Sequence, residues 1–294
     1  MKPKFSDGDL DAELVFDRYL GDGDDLDLLQ VLLSELAPRW SSKLRLWRGP
    51  KDQRSIDLSQ HGAIKAAVIA AVGERGSTYR ALVKRHGQPP HERLTGSAEL
   101  RGSGPGLVVV VSLDEMVLSP LGIEKQLGNG VALQLRGPKI ERRAGDDWLR
   151  GAFETLCSEL SPAWASARQA DEYWAKVMSD PPGVEAFGRD FGRFLPGVFW
   201  LNFFGRRYRD LIGDDRLRST PADRVAVVDD GVLIALGGSP SAWDTAECAS
   251  REQRVRDHLG RSSSSPRRSQ TGSRLCRIGT AEPAAGERLI WRVG

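Results

Sequence analysis

The residues of this 294-residue chain whose types could carry chemistry are four histidines, three cysteines, several aspartate runs and one glycine cluster. Metal binding by histidine needs two ring nitrogens brought to one point, most simply by a His-x-x-x-His spacing on a helix. His61, His86, His91 and His258 offer no such pair, and His91-Glu92 lacks the second histidine of a zinc-protease helix. Cys157, Cys248 and Cys276 are odd in number and far apart, which fits reduced thiols better than a disulfide framework or a zinc cluster. No serine sits in a Gly-x-Ser-x-Gly elbow. Gly102-Ser103-Gly104-Pro105-Gly106 precedes a valine-rich strand, whereas a phosphate cradle opens a helix, and the Lys-Ser/Thr pair is missing. The run Asp22, Asp24, Asp25, Asp27 places Leu33 at the twelfth position, where a calcium loop needs a bidentate glutamate. Asp214-Asp215 and Asp229-Asp230 read as turns. The expectation is no catalytic residue, no cofactor, no metal and no enzyme.

Binding is the chemistry that remains. Residues 187–208 hold eight of the 21 aromatic side chains: Phe187, Phe191, Phe194, Phe199, Trp200, Phe203, Phe204 and Tyr208. Such a density reads as core, because each ring buries a large apolar area, or as a recognition surface, where Trp, Tyr, Phe and Arg concentrate. Both readings stand, on opposite faces of the segment. Arg206-Arg207-Tyr208-Arg209 follows at once and is amphipathic. The candidate partner-contacting residues are therefore Trp200, Asn202, Arg206, Arg207, Tyr208 and Arg209, with Asp22, Asp24 and Asp25 of the acidic turn as a second set.

The formal charge of +2 hides an uneven distribution. Residues 1–35 hold three basic and ten acidic side chains, and residues 261–294 hold seven arginines against two glutamates. A chain so mixed has no clustered basic face of the kind phosphate affinity needs, so nucleic acid is not an expected partner. With 40% apolar and 28% charged residues and no apolar run of membrane-spanning length, the chain reads as soluble and membrane-free. Its start lacks the apolar middle of a secretory signal, which makes the cytoplasm the expected compartment.

The elements that must position these residues follow from period and punctuation. Glu13 to Phe16 reads as a strand, and the Asp-rich turn caps a helix whose Leu26, Leu28, Leu29, Val31, Leu32, Leu33 and Leu36 give a dense apolar face. Lys43 to Trp47 alternates as a strand, and Ala63 to Val72 reads as a helix. Ser97–Arg101, Leu107–Leu113 and Val131–Leu135 suggest a meander, followed by a helix from Asp146 to Leu160. The spacing leaves Ala163 to Met178 unassigned. Val198 to Phe203 is expected as a buried strand whose Phe199, Leu201 and Phe203 face away from a half-exposed Trp200. Gly205 to Ile212 is a short helix, Arg224 to Leu236 a hairpin with its positive φ supplied by Asp-Gly, and a last helix is N-capped by Asp244. The fold class is α+β: an antiparallel sheet with helices mainly on one face. One domain is expected over residues 1–260, with a weaker sub-boundary near residue 90.

Pro196-Gly197-Val198-Phe199-Trp200-Leu201-Asn202-Phe203-Phe204-Gly205, with Tyr208, Leu211-Ile212-Gly213 and Leu217, resembles the immunity-type proteins of bacterial polymorphic-toxin systems. The Arg224–Leu236 hairpin, the Trp243-Asp244-Thr245 helix start and the helix from Trp148-Leu149 to Leu160 are similar to further parts of that pattern, over about residues 95–260. The resemblance implies a cytoplasmic α+β protein that binds a cognate toxin stoichiometrically, with no turnover and no cofactor. The acidic N-terminal segment would contribute if the toxin is a nuclease, whose phosphate site is basic. The alternative is a structural or phage-related protein, with an enzyme third. Oligomeric state is not legible.

After Gly260 the composition changes: Ser262 to Ser265 form a serine run and no period survives, so residues 261–294 read as a disordered tail. A one-base shift of one codon choice for the serine run yields phenylalanine codons, which gives an out-of-frame tail as a second reading. Truncation after Gly260 is expected to change the free energy of unfolding by less than about 0.5 kcal/mol in urea titration, as for segments that bury little.

Overall fold

The computed structural model describes residues 9–36, 43–49, 52–73, 96–102, 106–118, 124–136, 146–177 and 197–260. The expectations for the tail, for the boundary near residue 90 and for Phe187, Phe191 and Phe194 lie outside the described residues. The chain divides into two compact units, Met1–Ala165 and Ser166–Gly294.

In the first unit the strands are β1 (Leu10–Phe16), β2 (Leu44–Gly49), β3 (Asp52–Ile56), β4 (Gly96–Gly102), β5 (Leu107–Leu118) and β6 (Glu124–Leu135). They lie in the order β3-β2-β4-β5-β6-β1. Every one of these pairings is antiparallel. The helices are α1 (Asp25–Leu36), α2 (residues 63–73) and α3 (Asp146–Leu160). Register and burial agree. Leu46, Leu100, Val109, Leu133 and Ala12 lie opposite one another strand by strand, and all are buried. The parallel row Ala98, Val111, Val131, Leu14 does the same. Side chains alternate along a strand, so these rows form one apolar face. Leu33 and Leu36 of α1 and Leu149, Phe153 and Leu156 of α3 meet that face around an apolar cavity of about 40 Å³.

Two polar side chains fix the loops of this unit. Buried Gln30 on α1 donates to the carbonyls of Leu58 and Gln60, both at 2.8 Å, and accepts from the Ile64 N–H at 3.1 Å, satisfying the first turn of α2. Arg18 donates to Asp25 Oδ1 at 2.6 Å, to the carbonyl of Leu160 at the end of α3 at 2.6 Å and to that of Ser161 just beyond it at 3.0 Å. A cation is favourable there because the C-terminal carbonyls of a helix lack intrahelical donors.

The chain enters the second unit within β7 (Trp164–Gln169), the segment the spacing left unassigned, and α4 (Ala170–Val177) follows directly. Then come β8 (Leu201–Phe204), α5 (Arg206–Ile212), α6 (Asp214–Arg218), β9 (Arg224–Val228), β10 (Gly231–Ala235), a 3-10 turn at Pro240–Ala242 and α7 (Ala246–Gly260). β8, β10 and β9 are adjacent in that order and antiparallel. The architecture is α+β on an antiparallel sheet, as expected.

Three local expectations are corrected. Trp200 is 3% exposed, not half-exposed, because β8 and the residue before it are buried on both faces. The cap of α7 is Thr245, whose Oγ1 accepts from the Cys248 N–H at 3.2 Å, and not Asp244. The positive φ of the hairpin belongs to Asp229, at 48°, whereas Gly231 already sits in β10 opposite Val228. Glycine is needed at 231 for another reason: a Cβ there would lie inside the van der Waals contact of the Phe203 ring on β8. Gly231→Ala is therefore expected to cost about 1–3 kcal/mol as an overpacked core, while Asp229→Gly stays near neutral. Urea unfolding of the two variants measures the contrast.

Candidate interaction surface

The aromatic segment is built outward from a buried polar frame. Asn202 in β8 is fully buried; its Nδ2 donates to the Phe199 carbonyl at 2.7 Å and its Oδ1 accepts from the Phe199 N–H at 2.9 Å. One amide side chain thus stands in for the absent backbone partners of the turn that leads into the strand. Trp200 Nε1 donates to the Gly238 carbonyl at 2.9 Å, fastening the residue before β8 to the loop after β10. Tyr208 on α5 is fully buried and meets Phe204 edge-on, ring centroids 6.0 Å apart. Trp200, Asn202 and Tyr208, three of the candidate contact residues, are thus committed to the interior of this unit.

Behind them lies a charged cluster that the sequence did not signal as buried. Lys176 on α4 bonds Glu172 on the same helix and Glu252 on α7, and donates to the Val198 carbonyl at 3.3 Å. Glu172 and Glu252 are almost wholly buried, at 0% and 2% exposure. Arg256 holds the other oxygen of Glu252 at 3.1 Å. Phe199 is ringed by cations, with the Lys176 ammonium 5.4 Å and the Arg168 guanidinium 4.8 Å from its centroid; Arg168 also covers Tyr173 at 4.2 Å. Burial pushes the Glu172 carboxyl above the usual carboxylate range; Lys176 pulls against it, Glu252 adds to it and Arg168 opposes it. Glu172 Oε2 is buried without a hydrogen-bond partner among the described residues, a site better suited to a neutral acid. Burial, with Glu252 beside it, pushes the Cys248 thiol up to about 11, so it is held as a thiol rather than a nucleophilic thiolate. The signals available in sequence were two i,i+4 pairs, Glu172-Lys176 and Glu252-Arg256, which ordinarily mark a solvated helix face.

The arginines of the surface divide into two kinds. Arg209 donates from Nε to Asp214 Oδ1 at 2.7 Å and from Nη1 to the Asp230 carbonyl at 2.6 Å, tying α5 to α6 and to the hairpin turn. Arg218 bonds the second oxygen of Asp214. Partial desolvation works to raise the Asp214 carboxyl, but the hydrogen bonds and charges of Arg218 and Arg209 outweigh it and hold it below the usual range. Arg206 and Arg207, by contrast, are exposed and make no hydrogen bond or ion pair among the described residues. The first turn of α5 carries no acidic residue to offset them, and two cations there oppose the helix dipole. In the first unit Asp22 and Asp24 are exposed, while Asp25 is held by Arg18. Arg206, Arg207 and Arg209 are brought onto one short helix; the aspartates belong to the other unit.

Among the described residues, no group of three or more His, Cys, Asp or Glu is placed to hold a metal ion, and no helix is long and apolar enough to cross a membrane. No family model and no curated protein matches the sequence. The solved structure of a Pseudomonas aeruginosa T6SS protein, PA0821, is similar in fold, with a TM-score of 0.51 over 85% of this chain and 75% of that one, at 13% identity.

Removing the ammonium from the buried cluster leaves Glu172 without its hydrogen-bond partner and Glu252 with Arg256 on only one oxygen. Lys176→Met is expected to cost about 3–5 kcal/mol, read by chemical denaturation. A carboxyl raised on folding keeps its proton longer in the folded chain than in the unfolded one. Its stabilisation is complete in acid and is lost as pH rises through the usual carboxylate range and past the folded value. Glu172→Gln should accordingly gain melting temperature relative to the parent chain on going from about pH 4 to about pH 7.

Proposed function

We propose that this chain is an immunity-type protein that neutralises a cognate toxin by stoichiometric binding in the cytoplasm, without turnover. The observation that carries the proposal is the pair Arg206 and Arg207, exposed and unpaired among the described residues on a helix whose next residues are fixed. Tyr208 is buried behind them and Arg209 is tied on two sides, so the pair is presented from a rigid base. Interfaces draw their affinity from a few such anchors, and arginine is over-represented among them. Preorganisation spares the ordering entropy that a flexible cation would lose on binding. The partner surface that fits is acidic. Asp22 and Asp24, on the first unit, are a second contact in the same reading, for a basic patch of the toxin.

Two further lines support the reading. The segment from Pro196 to Gly205 resembles immunity-type proteins, and a T6SS protein shares the fold, which is compatible with a toxin and immunity setting.

The test is co-expression with the C-terminal domain of the product of the neighbouring gene, followed by co-purification and a growth assay. A one-to-one complex and restored growth are expected. Replacing Arg206 and Arg207 together with alanine should leave stability within about 0.5 kcal/mol, as for surface changes, and weaken binding at least about tenfold. Persisting toxicity with this chain in excess and no complex overturns the proposal.

A further inference from the structure

Four pairs in the sequence place glycine directly after an aspartate or an asparagine: Asp7-Gly8, Asp22-Gly23, Asn129-Gly130 and Asp230-Gly231. The first lies outside the described residues. At such a pair the glycine nitrogen can attack the carbonyl carbon of the preceding side chain, because no Cβ hinders its approach and the backbone bends freely there. Asparagine, which expels ammonia, reacts more readily than aspartate, which expels water. Chemistry alone therefore ranks Asn129 first.

The fold reverses that order. Asn129 is buried in β6 opposite Phe16, and its Oδ1 accepts from the Leu20 N–H at 3.5 Å. Gly130 lies between Val15 of β1 and Ser112 of β5. Asp230-Gly231 is held as well: Arg209 grips the Asp230 carbonyl at 2.6 Å, and Gly231 is buried in register with Val228 against the Phe203 ring. A backbone so held reacts only through local opening, which ladder bonds and burial make rare. Asp22-Gly23 stands outside every described helix and strand. Asp22 is exposed, and the Gly23 N–H makes no hydrogen bond among the described residues. Firm anchors begin only after that bond: the Gly23 carbonyl accepts from Lys65 Nζ at 2.8 Å, and the Asp24 carbonyl takes the Leu28 N–H at 2.8 Å as α1 starts.

We propose that Asp22 is a site of spontaneous modification, converting to isoaspartate through a cyclic imide formed with Gly23. The Gly23 nitrogen bonds to Asp22 Cγ, and the carboxyl hydroxyl leaves with the amide proton as water. Water then adds back to the ring. Addition at Cγ restores aspartate; addition at the main-chain carbonyl carbon leaves the chain running through Cβ and frees the α-carboxylate. No electrons are transferred, and the mass is unchanged. The backbone gains one carbon just ahead of the carbonyl that holds Lys65. The freed α-carboxylate is the group that an isoaspartyl methyltransferase esterifies with S-adenosylmethionine as methyl donor, so the turn becomes a substrate for that class of enzyme. The inference is independent of the immunity reading.

The test ages the full chain at physiological pH and temperature, labels it with an isoaspartyl methyltransferase and tritiated S-adenosylmethionine, and maps the label by peptide. A parallel sample is aged in urea. In the folded chain, label at residue 22 is expected to accumulate at least about tenfold faster than at residue 129 or 230. In urea, where the ladder no longer protects it, residue 129 should lead. Gly23→Ala places a methyl group beside the attacking nitrogen and should slow labelling at residue 22 at least about tenfold. Should Gly23→Ala lower the melting temperature, Asp22→Glu gives the same test, because the longer side chain must close a six-membered ring. The inference is overturned if residue 129 or 230 is labelled as fast as residue 22 in the folded chain, if residue 22 takes no label, or if neither variant slows its labelling.

Discussion

One ammonium group organises the second unit. Glu172 and Glu252 sit on different helices, both almost out of reach of water, and two such carboxyl groups face each other only where a cation lies between them or one of them holds a proton. Lys176 fills that place, and its third bond, to the Val198 carbonyl, reaches the turn that launches β8. From there the order propagates locally. Phe199 packs against the same ammonium and against Arg168, Asn202 closes the turn over Phe199, and the Phe203 ring reaches the hairpin at Gly231. Apolar burial supplies most of the stability, at about 1.5–3 kcal/mol for each large side chain. The ion cluster joins α4, α7 and the turn at one point.

The first unit solves the same problem with neutral and exposed groups. Gln30 replaces the missing partners of a helix start, and Arg18 those of a helix end, around a sheet whose inner rows are almost wholly aliphatic. Its core is ordinary in composition and regular in register.

That difference explains what could be read from the sequence. Where one face of a strand is wet, burial alternates and the pattern is visible, as in Val131, Leu133 and Leu135 against Ala132 and Gln134. Strong punctuation also worked: Gly213 ends α5 with φ 98°, and the Arg224–Ala235 hairpin is in place. β7 was illegible because Trp164, Ala165, Ser166, Ala167 and Arg168 are all buried, which removes the two-residue period, and its alanines speak for helix. β3 was missed for the opposite reason, as an edge strand of polar residues with nothing apolar to alternate. Of the candidate contacts, the exposure of Arg206 and Arg207 was legible by type and position. The commitment of Trp200, Asn202 and Tyr208 to the interior was not, since an aromatic residue looks the same in sequence whether it faces a core or a partner. The buried Glu172, Glu252 and Arg168 were hidden by the sound habit of assigning charges to the surface.

The contact between Gly231 and the Phe203 ring has a historical side. The bare α-carbon and the ring occupy one space, so the two positions cannot drift independently. A lineage in which position 231 acquires a methyl group first passes through a crowded intermediate. One in which position 203 first shrinks to a smaller residue passes through a cavity that the later methyl group partly refills. The order of the two changes, and not only their sum, decides whether descendants of this sequence remain folded along the way.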